Sequence, residues 1–519
     1  MRKYHKQQII NIIQSMYIFG EQEEYGKCQD IALDLCDFID EHAGLDTEAV
    51  QLLTEYAELC YKVNNGESSK KHLKKKLIEV ENNVRNDLSA TRIEIVFLSY
   101  KASLSDCLES IYLAAKADPN CDAYFIPIPY YEVLADNNTE IFISPKDFSE
   151  NEHKYSKLGA MHYEGKEYYN EQIEITFYKD YDIKTQRPDV IFNFNPYDDK
   201  NTITRTDHEY YFSNLKNYTN MLIHVPYYVP GVRSRSKIYA STVGVLKADK
   251  VILASDTHKN EIAAVLKNDH KFTNSQINSK LVVLGSPKLD KVINSKKEEF
   301  VLPQQWIDVI GSKKVILLNL TLSNASINRN SLIENLENIF NIFKSSKNVV
   351  LWFRPHPLLF DTFKNTFKEY GQLLNKYRID NYGILDESPD LHRAIKYSDA
   401  YYGAYSSVLG LYLATGKPTF WHSINNSNFE KNIFDIDYFI KKRIETMTTL
   451  FDSSYINMSK LDIDNEFTLS LPNIISYVEN INNLTNEYKR SKRQMEIFRN
   501  FYKNANGTSG IEIYNHITK

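Results

Sequence analysis

The sequence predicts an α/β protein with two parallel-sheet domains that follow a helical module. Residues 1–90 carry apolar side chains at helical spacing, with few strand patterns. From residue 91 on, short buried strands alternate with helical patterns, first over 91–298 and again over 299–474. Helical spacing returns over 475–519, and we expect these last helices to pack across both domains.

Length and composition limit the class of protein. A chain of 519 residues is too long for one hydrophobic core. It is 42% hydrophobic and 25% charged, as is usual for a soluble globular protein, and its formal net charge is −5. No domain is strongly basic, so we expect no nucleic-acid partner. No apolar run approaches the roughly 20 residues that span a bilayer, and we expect no signal peptide.

The cysteines indicate the compartment. They are odd in number, lack the close pairs of a metal site and occupy apolar positions. We therefore expect five reduced, buried thiols in a cytoplasmic protein. They are Cys28, Cys36, Cys60, Cys107 and Cys121.

The charged stretch Glu67–Arg85 in the helical module contains five lysines close together. One interpretation is a solvated helix face. The other is a patch that touches acidic lipid head groups or an anionic polymer, which would make the protein peripheral on the inner face of the cell membrane. The module could also serve interaction or homo-oligomerisation. The lysines are Lys70, Lys71, Lys74, Lys75 and Lys76.

The stretch Ser398–Trp421 has the pattern of a strand, a serine-bearing turn, a helix and a second strand. Ser406 and Ser407 open the helical run, and Gly416 suits a left-handed end to it. Backbone N–H groups and two hydroxyls at a helix start can hold an anionic group. The alternative is an ordinary helix cap in a parallel α/β domain.

A second polar motif, Arg354-Pro355-His356-Pro357, directly follows a predicted strand of the same domain. Ligand sites of open parallel sheets lie at the carboxyl ends of strands. An arginine can fork onto phosphate oxygens, and an imidazole can exchange a proton with a nearby oxygen. Together with Ser406 and Ser407 this motif predicts a pyrophosphate pocket that needs no metal. The alternative is a proline-started helix with a structural histidine.

The order of these motifs resembles the CDP-glycerol glycerophosphotransferases, the teichoic-acid primases and polymerases with the GT-B fold. The resemblance covers about residues 92–515 and leaves 1–90 uncovered. Its C-terminal pieces are the more specific. The matching pieces are Val96–Tyr112, Asp122–Tyr131, Gly285–Asp290, Arg354–Pro357, Tyr405–Ser407 with Gly416–Pro418, and Phe501–Gly510.

The resemblance implies two facing Rossmann-like domains, with the nucleotide of a CDP-linked donor held by the second. A hydroxyl of a lipid-linked or polymeric acceptor would attack the β-phosphorus and release CMP, with no cofactor. His356 and Arg354 would steady the pyrophosphate. The donor phosphates and nucleotide would also be held by Tyr405, Ser406, Ser407, Gly416 and Lys417.

The sequence departs from the family at its candidate general base. The family has a histidine-glycine pair after a first-domain strand, and Tyr227-Tyr228 occupy that place here. His224, three residues earlier, is the remaining catalytic candidate or a core histidine inside the strand. Lys101 and Ser103 are expected on the acceptor side together with the two tyrosines.

Two other functions stay open at this point. One is a GT-B glycosyltransferase that uses a nucleotide sugar for a surface polysaccharide. The other is a degenerate, non-catalytic protein that binds a nucleotide or polymer and acts as a scaffold in wall or capsule assembly.

Overall fold

A computed structural model gives the fold and confirms the predicted class: two Rossmann-like parallel sheets with an α-helical N-terminal module. Among the described residues, no helix is both long enough and apolar enough to cross a membrane. The structure describes residues 1–44, 47–134, 157–201, 203–230, 236–320, 329–356, 368–404, 406–422, 433–435, 471–483 and 487–519.

The N-terminal module consists of four helices that share one apolar core. Each helix turns one face inward, as α1 does with Ile9, Ile13 and Met16. The side chains of Thr47 and Ser69 cap α3 and α4 by accepting hydrogen bonds from backbone N–H groups. The helices are α1 (Lys3–Glu21), α2 (Tyr25–Ala43), α3 (Glu48–Asn64) and α4 (Lys70–Asn86).

Arg2 attaches this module to the first sheet. Its guanidinium is 3% exposed and pairs with Glu94 at 3.0 Å and Asp189 at 3.1 Å. It also donates to the backbone oxygens of Gln186 and Arg187. Glu94 and Asp189 lie at the beginnings of the first and fifth strands, so the module sits at the edge of the sheet opposite the carboxyl ends.

The first sheet has six parallel strands in the order β2-β1-β5-β7-β8-β9. Its strands are nearly continuous apolar runs because both faces are covered. The strands are β1 (Ile93–Ser99), β2 (Cys121–Pro127), β5 (Val190–Asn193), β7 (Met221–His224), β8 (Lys250–Leu253) and β9 (Leu281–Val283).

Helices of the first domain follow the strand ends. They are α5 (Glu109–Lys116), α6 (Ile183–Gln186), α7 (Phe212–Leu215), α8 (Ser236–Ala240), α9 (Val243–Lys247), α10 (Asp256–Asn268), α11 (Asn274–Lys280) and α12 (Pro287–Asn294).

A small antiparallel sheet, which the sequence did not predict, adjoins the first domain. It has the order β4-β3-β6. After the buried Tyr130, half-buried Tyr131 and Val133 alternate with exposed Glu132 and Leu134, so the two faces of β3 differ in exposure. The strands are β3 (Tyr130–Leu134), β4 (Lys157–His162) and β6 (Thr204–Thr206).

The second sheet has the order β12-β11-β10-β13-β14-β15, parallel except for the β14–β15 pair. The strands are β10 (Lys314–Asn319), β11 (Val349–Arg354), β12 (Ile384–Leu385), β13 (Ala400–Gly403), β14 (Thr419–His422) and β15 (Ile433–Asp435). The helices are α13 (Gln304–Ile310), α14 (Arg329–Ser345), α15 (Lys368–Asp380), α16 (His392–Tyr397), α17 (Ser407–Leu413) and α18 (Leu471–Glu479).

Two C-terminal helices, α19 (Glu487–Phe501) and α20 (Ser509–Thr518), contact both domains. In α19 the side chain of Gln494 donates to the Leu413 carbonyl of the second domain at 3.2 Å. At the start of α20, backbone N–H groups of Ser509 and Gly510 donate to Asp290 of the first domain at 3.0 and 2.7 Å. The last helices therefore link the two halves.

The carboxyl edges of the two sheets face each other. Asp106, after β1, contacts His392, after β12, at 2.8 Å. Val229, after β7, packs against Gly410 of α17, where an added Cβ would lie 3.4 Å from the valine side chain. Residues that directly follow strands of both sheets therefore lie at one boundary between the domains. A ligand site between facing sheets requires this arrangement.

Candidate functional site

Asn319, the last residue of β10, joins the two motifs that the sequence singled out. Its amide nitrogen donates to the Arg354 carbonyl at 3.2 Å, and its amide oxygen accepts from the Ser406 hydroxyl at 3.0 Å. Strand β10 lies between β11 and β13, so both motif loops leave neighbouring strands at one edge. A Cβ on Gly403 would lie 2.3 Å from the Asn319 carbonyl, so this close approach requires glycine.

The two serines of the predicted phosphate turn differ in role. Ser406 is the N-cap of α17, because its hydroxyl accepts the Leu409 N–H at 3.4 Å while donating to Asn319. Its hydroxyl is therefore occupied by the protein, as an ordinary cap would be. Ser407 is exposed at the first position of the helix. Of the pair, Ser407 is the more exposed residue.

Arg354 is held by the protein rather than presented to solvent. The guanidinium is 6% exposed, pairs with Asp386 at 2.9 Å and donates to the carbonyls of Ser388 and Asp390. Burial alone would raise the pKa of Asp386, but the guanidinium and the Ser388 hydroxyl hold it below its usual value. This geometry departs from the predicted fork onto phosphate, because both terminal nitrogens already bind the loop 386–390.

His356 lies two residues after the end of β11, half-buried at the carboxyl edge of the second sheet. Burial lowers the pKa of His356, which favours a neutral ring at neutral pH. A neutral imidazole offers one donor and one acceptor. It can donate a hydrogen bond to a phosphoryl oxygen without carrying a full charge.

Lys417 and Gly416 serve the fold at the far end of α17. The Lys417 ammonium donates to the carbonyls of Ile395, Lys396 and Ser398, where α16 ends. Cations stabilise this end of a helix. Gly416 has φ +68° and abuts Ser491 and Met495 of α19. Both residues thus have structural partners away from the start of α17; Tyr405, also predicted to hold the donor, lies outside the described residues.

His224 lies in the core at the end of β7 and is fully buried. Its Nδ1 is 3.1 Å from the Asn193 carbonyl, and its Nε2 is 2.7 Å from the Tyr239 hydroxyl. Nδ1 therefore carries the proton and Nε2 accepts one. Burial lowers the pKa of His224 to about 4. The position inside the strand and these partners fit the core interpretation and leave neither nitrogen for a substrate.

The predicted acceptor-side residues follow strands of the first sheet. The Lys101 ammonium lies 5.0 Å from the centre of the Tyr130 ring, and Ser103 is exposed in the same loop after β1. The Tyr227 hydroxyl is 3.0 Å from that of Tyr197. The Tyr228 ring meets the Tyr239 ring edge-on, with centroids 5.1 Å apart. The structure thus places all four at the carboxyl edge of the first sheet.

Three of the five clustered lysines of α4 pair with acidic side chains. Lys70 pairs with Glu23, and Lys74 approaches Glu21 at 3.7 Å. Lys76 lies 2.8 Å from Glu55. This pairing is what a solvated helix face shows. All five cysteines are buried and unpaired, and within the described part of the chain no three His, Cys, Asp or Glu side chains are grouped to hold a metal ion.

Sequence reasoning did not predict the contacts or burial of three residues that matter here. Asn319 ends an apolar strand, and its polar character at a strand end was the available signal. His392 joins the domains through a contact 286 residues away in sequence, for which no local signal exists. His258 is nearly fully buried, neither of its ring nitrogens has a partner within the part of the chain that the structure describes, and no local signal marks it.

Comparison with known proteins finds structural similarity at low sequence identity. No family model and no curated protein sequence matches the chain. Among solved structures, it is similar to a putative UDP-N-acetylglucosamine 2-epimerase from Listeria monocytogenes, at 12% identity and a TM-score of 0.45, over 82% of this chain and 96% of that one. S. aureus MnaA with UDP gives 13% identity and a TM-score of 0.44 over 82% and 96%.

The wall teichoic acid polymerase TagF gives 14% identity and a TM-score of 0.39, over 91% of this chain and 97% of that one. At these identities and TM-scores, the likenesses carry no argument about what this chain does. The function is therefore argued from the residues of this chain.

Proposed function

We propose that this protein is a transferase that takes a polyol-phosphate group from a CDP-linked donor and passes it to a hydroxyl of a surface-polymer acceptor. The observation that carries the proposal is the Asn319 bridge. It holds the loop that leads to His356 and the turn that bears Ser406 and Ser407 at one edge of the second sheet. The first sheet presents its own strand ends to that edge.

The donor pyrophosphate would lie against exposed Ser407 and the neutral His356 ring, each of which can donate a hydrogen bond to a phosphoryl oxygen. Arg354 acts as a positioning residue in this scheme. Its ion pair with Asp386 and its bonds to the carbonyls of Ser388 and Asp390 fix the loop opposite the turn. The Arg354–Pro357 motif of the resembling family is thus present. In this scheme, however, Arg354 binds the loop 386–390 and does not contact the phosphate.

In the transfer, the acceptor oxygen forms a new bond to the β-phosphorus. The bond from that phosphorus to the bridging oxygen breaks, and CMP leaves with the bridging oxygen. The acceptor proton passes to solvent. His224 does not take it, because both of its nitrogens are bound in the core. Orientation and electrostatic stabilisation of the phosphoryl oxygens supply the catalysis in this scheme.

A non-catalytic nucleotide-binding scaffold is the second candidate. Two observations favour it: the guanidinium of Arg354 is occupied by Asp386 and two carbonyls, and no histidine-glycine base follows β7. The two candidates share donor binding and differ in turnover. A nucleotide-sugar glycosyltransferase differs in the donor that binds.

Calorimetry on the full-length chain tests these functions, with CDP-glycerol, CMP and UDP-N-acetylglucosamine as probes. We expect CDP-glycerol to bind and CMP to compete with it. His356→Ala should weaken CDP-glycerol binding at least tenfold, about 1.4 kcal/mol. His208→Ala is the matched control, because the His208 side chain is exposed and lies in the first domain.

Turnover is then measured as CMP release with a glycerol-phosphate oligomer as acceptor. Binding with CMP release supports the transferase, and binding without release supports the scaffold. Preference for UDP-N-acetylglucosamine supports the glycosyltransferase. If none of the three nucleotides binds, both enzyme functions and the nucleotide-binding scaffold are wrong.

A further inference from the structure

The loop 386–390, between β12 and α16, connects the Arg354 motif to the boundary between the domains. At its first end, the Asp386 carboxylate pairs with the Arg354 guanidinium at 2.9 Å. At its second end, the Asp390 carbonyl accepts a hydrogen bond from the same guanidinium at 3.1 Å. Helix α16 then begins with His392, whose ring reaches the first domain. One short segment therefore contacts both the proposed donor site and the opposite domain.

Hydrogen bonds inside this loop make it move as a unit. The N–H and the hydroxyl of Ser388 donate to one oxygen of Asp386, at 3.0 and 2.6 Å. The Asp390 carboxylate accepts the backbone N–H of His392 at 2.8 Å. Asp386 is also fully buried, so packing holds it in place. Because hydrogen-bonded and packed groups carry displacements to one another, a shift of His392 reaches the groups that hold Arg354.

Asp106 of the first domain orients the His392 ring. Nε2 of His392 lies 2.8 Å from the Asp106 carboxylate, and because a carboxylate only accepts, Nε2 carries a proton. His392 is 7% exposed, and its Nδ1 has no hydrogen-bond partner within the described part of the chain. The bond to Asp106 is therefore the polar contact that sets the orientation of this ring.

The carboxylate that His392 meets is held firmly on the first-domain side. Asp106 pairs with the buried ammonium of Lys288 in α12. Lys291 of the same helix pairs with Glu109 of α5 at 2.8 Å, which ties α12 to the first domain. Asp106 itself lies in the segment after β1, on the expected acceptor side. The His392 contact thus links that segment to the second domain.

We propose that His392 is a positioning residue that couples the two domains. Its hydrogen bond to Asp106 sets the position of the loop 386–390. The loop in turn holds Arg354, two residues before His356 in the chain. The donor site therefore takes its working geometry only when the first domain is seated against the second. This inference rests on the proposed function for the word donor, whereas the coupling itself stands on the contacts alone.

Two of the three tryptophans of the chain can report on the position of this loop. The indole N–H of Trp352 donates to Asp386 at 3.1 Å. The Trp306 ring centre lies 4.6 Å from the guanidinium carbon of Arg393, which also donates to Asp386, at 3.2 Å. The two indole rings meet edge-on with centroids 5.1 Å apart. A displacement of the loop therefore changes the surroundings of both indoles.

The test uses the full-length chain without nucleotide, labelled with fluorotryptophan and followed by fluorine NMR. Trp306→Phe and Trp421→Phe assign two of the three resonances, and the third belongs to Trp352. His392→Asn carries an amide donor that is too short to reach Asp106, and it should shift the resonances of both indoles that contact the loop. His392→Gln places a donor near the position of Nε2 and should restore most of the wild-type resonance positions.

Glu109→Gln is the matched control. It breaks the neighbouring pair of Lys291 with Glu109 without touching the loop, so both resonances should keep their positions. The His392 variants leave Asp106 paired with Lys288, so we expect them to fold, and thermal unfolding checks this.

Three results would overturn the coupling. A histidine that only clamps the domains would lower thermal stability in His392→Asn and leave both resonances in place. Equal shifts in His392→Asn and His392→Gln would show that altered packing, and not the lost bond to Asp106, moves the loop. Failure of both variants to fold would show that the contact holds the fold and does not serve to position the loop.

Calorimetry with CDP-glycerol separates this inference from the proposed function. His392→Asn should weaken binding several-fold, His392→Gln should recover most of the affinity, and Glu109→Gln should bind as the wild-type chain does. If the resonances shift as expected but the wild-type chain does not bind CDP-glycerol, the proposed function is wrong and the coupling stands.

The opposite outcome is equally distinct. If the wild-type chain and His392→Asn bind CDP-glycerol equally and the resonances do not move, the coupling is wrong and the proposed function stands. Shifted resonances together with equal CDP-glycerol binding would overturn the claim that the loop positions the donor site.

Discussion

His392 of the second domain and Asp106 of the first are joined by a hydrogen bond of 2.8 Å. The same carboxylate pairs with the buried ammonium of Lys288, which follows β9. Burial alone would raise the pKa of Asp106, but Lys288 and His392 hold it well below its usual range. Both domains thus contribute to one buried charged cluster at their boundary.

Asp106→Asn should destabilise the protein by about 3–5 kcal/mol, because it leaves the Lys288 ammonium buried without its counter-charge. Since the Asp106 pKa is depressed, its stabilising effect is present above the unfolded value of about 4 and is lost as pH falls through the folded pKa. Urea unfolding at pH 7 measures the loss.

Glu174→Gln is the matched control for this cluster. It breaks the exposed pair of Lys116 with Glu174 and should cost less than about 1 kcal/mol. Equal losses in Asp106→Asn and Glu174→Gln would show that the interdomain cluster does not stabilise the fold.

Arg2→Met should loosen the helical module from the first sheet. The change leaves buried Glu94 and half-buried Asp189 without a cation, at a cost of about 3 kcal/mol. Limited proteolysis should then cut faster between residues 86 and 93. Lys3→Met changes an exposed neighbour and should leave the pattern unchanged. An identical digestion pattern for the two variants would contradict the anchoring role of Arg2.

The fold was predictable because its signals are local. Buried apolar runs such as Ile93–Ser99 and Lys314–Asn319, followed by helical spacing, identify strands of a parallel sheet without knowledge of their partners. The position of the Arg354 motif at a strand end followed from the same pattern. The pattern did not predict the binding partners of each side chain.

Arg354 illustrates the limit. Its partners, Asp386 and the carbonyls of Ser388 and Asp390, lie 32 to 36 residues later in a loop without periodicity. The sequence pattern of an arginine after a strand is the same whether its guanidinium binds a phosphate or a carboxylate. The sequence around His258 is typical of an exposed polar residue in a capped helix. In the structure, the rings of Tyr228 and Tyr239 pack against the His258 ring and help to bury it.

Substitution of the two serines of the phosphate turn should affect stability to different extents. Ser406→Ala removes the cap of α17 and its bond to Asn319, and should lower stability by about 1 kcal/mol or more. Ser407→Ala changes an exposed hydroxyl and should leave stability within about 0.5 kcal/mol. Urea unfolding measures both.

Calorimetry with CDP-glycerol completes this comparison. Ser407→Ala should weaken binding several-fold, because the more exposed serine is the one proposed to contact phosphate. If Ser407→Ala binds CDP-glycerol as tightly as the wild-type chain, this serine takes no part in the donor site.

Two buried histidines of the first domain, His224 and His258, should make the fold sensitive to mild acid. Burial lowers the pKa of His224 and of His258 to about 4, and Lys280 adds to the effect at His224. An unfolded histidine titrates near 6.5, so between about pH 6.5 and 4 the unfolded chain binds more protons than the folded one. The free energy of unfolding therefore falls as pH falls through this window, on the order of 3 kcal/mol for each ring. Urea unfolding at pH 7, 6, 5 and 4.5 measures the slope of the unfolding free energy against pH.

His258→Leu should reduce this slope and keep the stability at neutral pH. His208→Leu, at an exposed position, should leave the slope unchanged. A slope that is unaffected by His258→Leu would mean that burial does not lower the pKa of this ring in the folded protein.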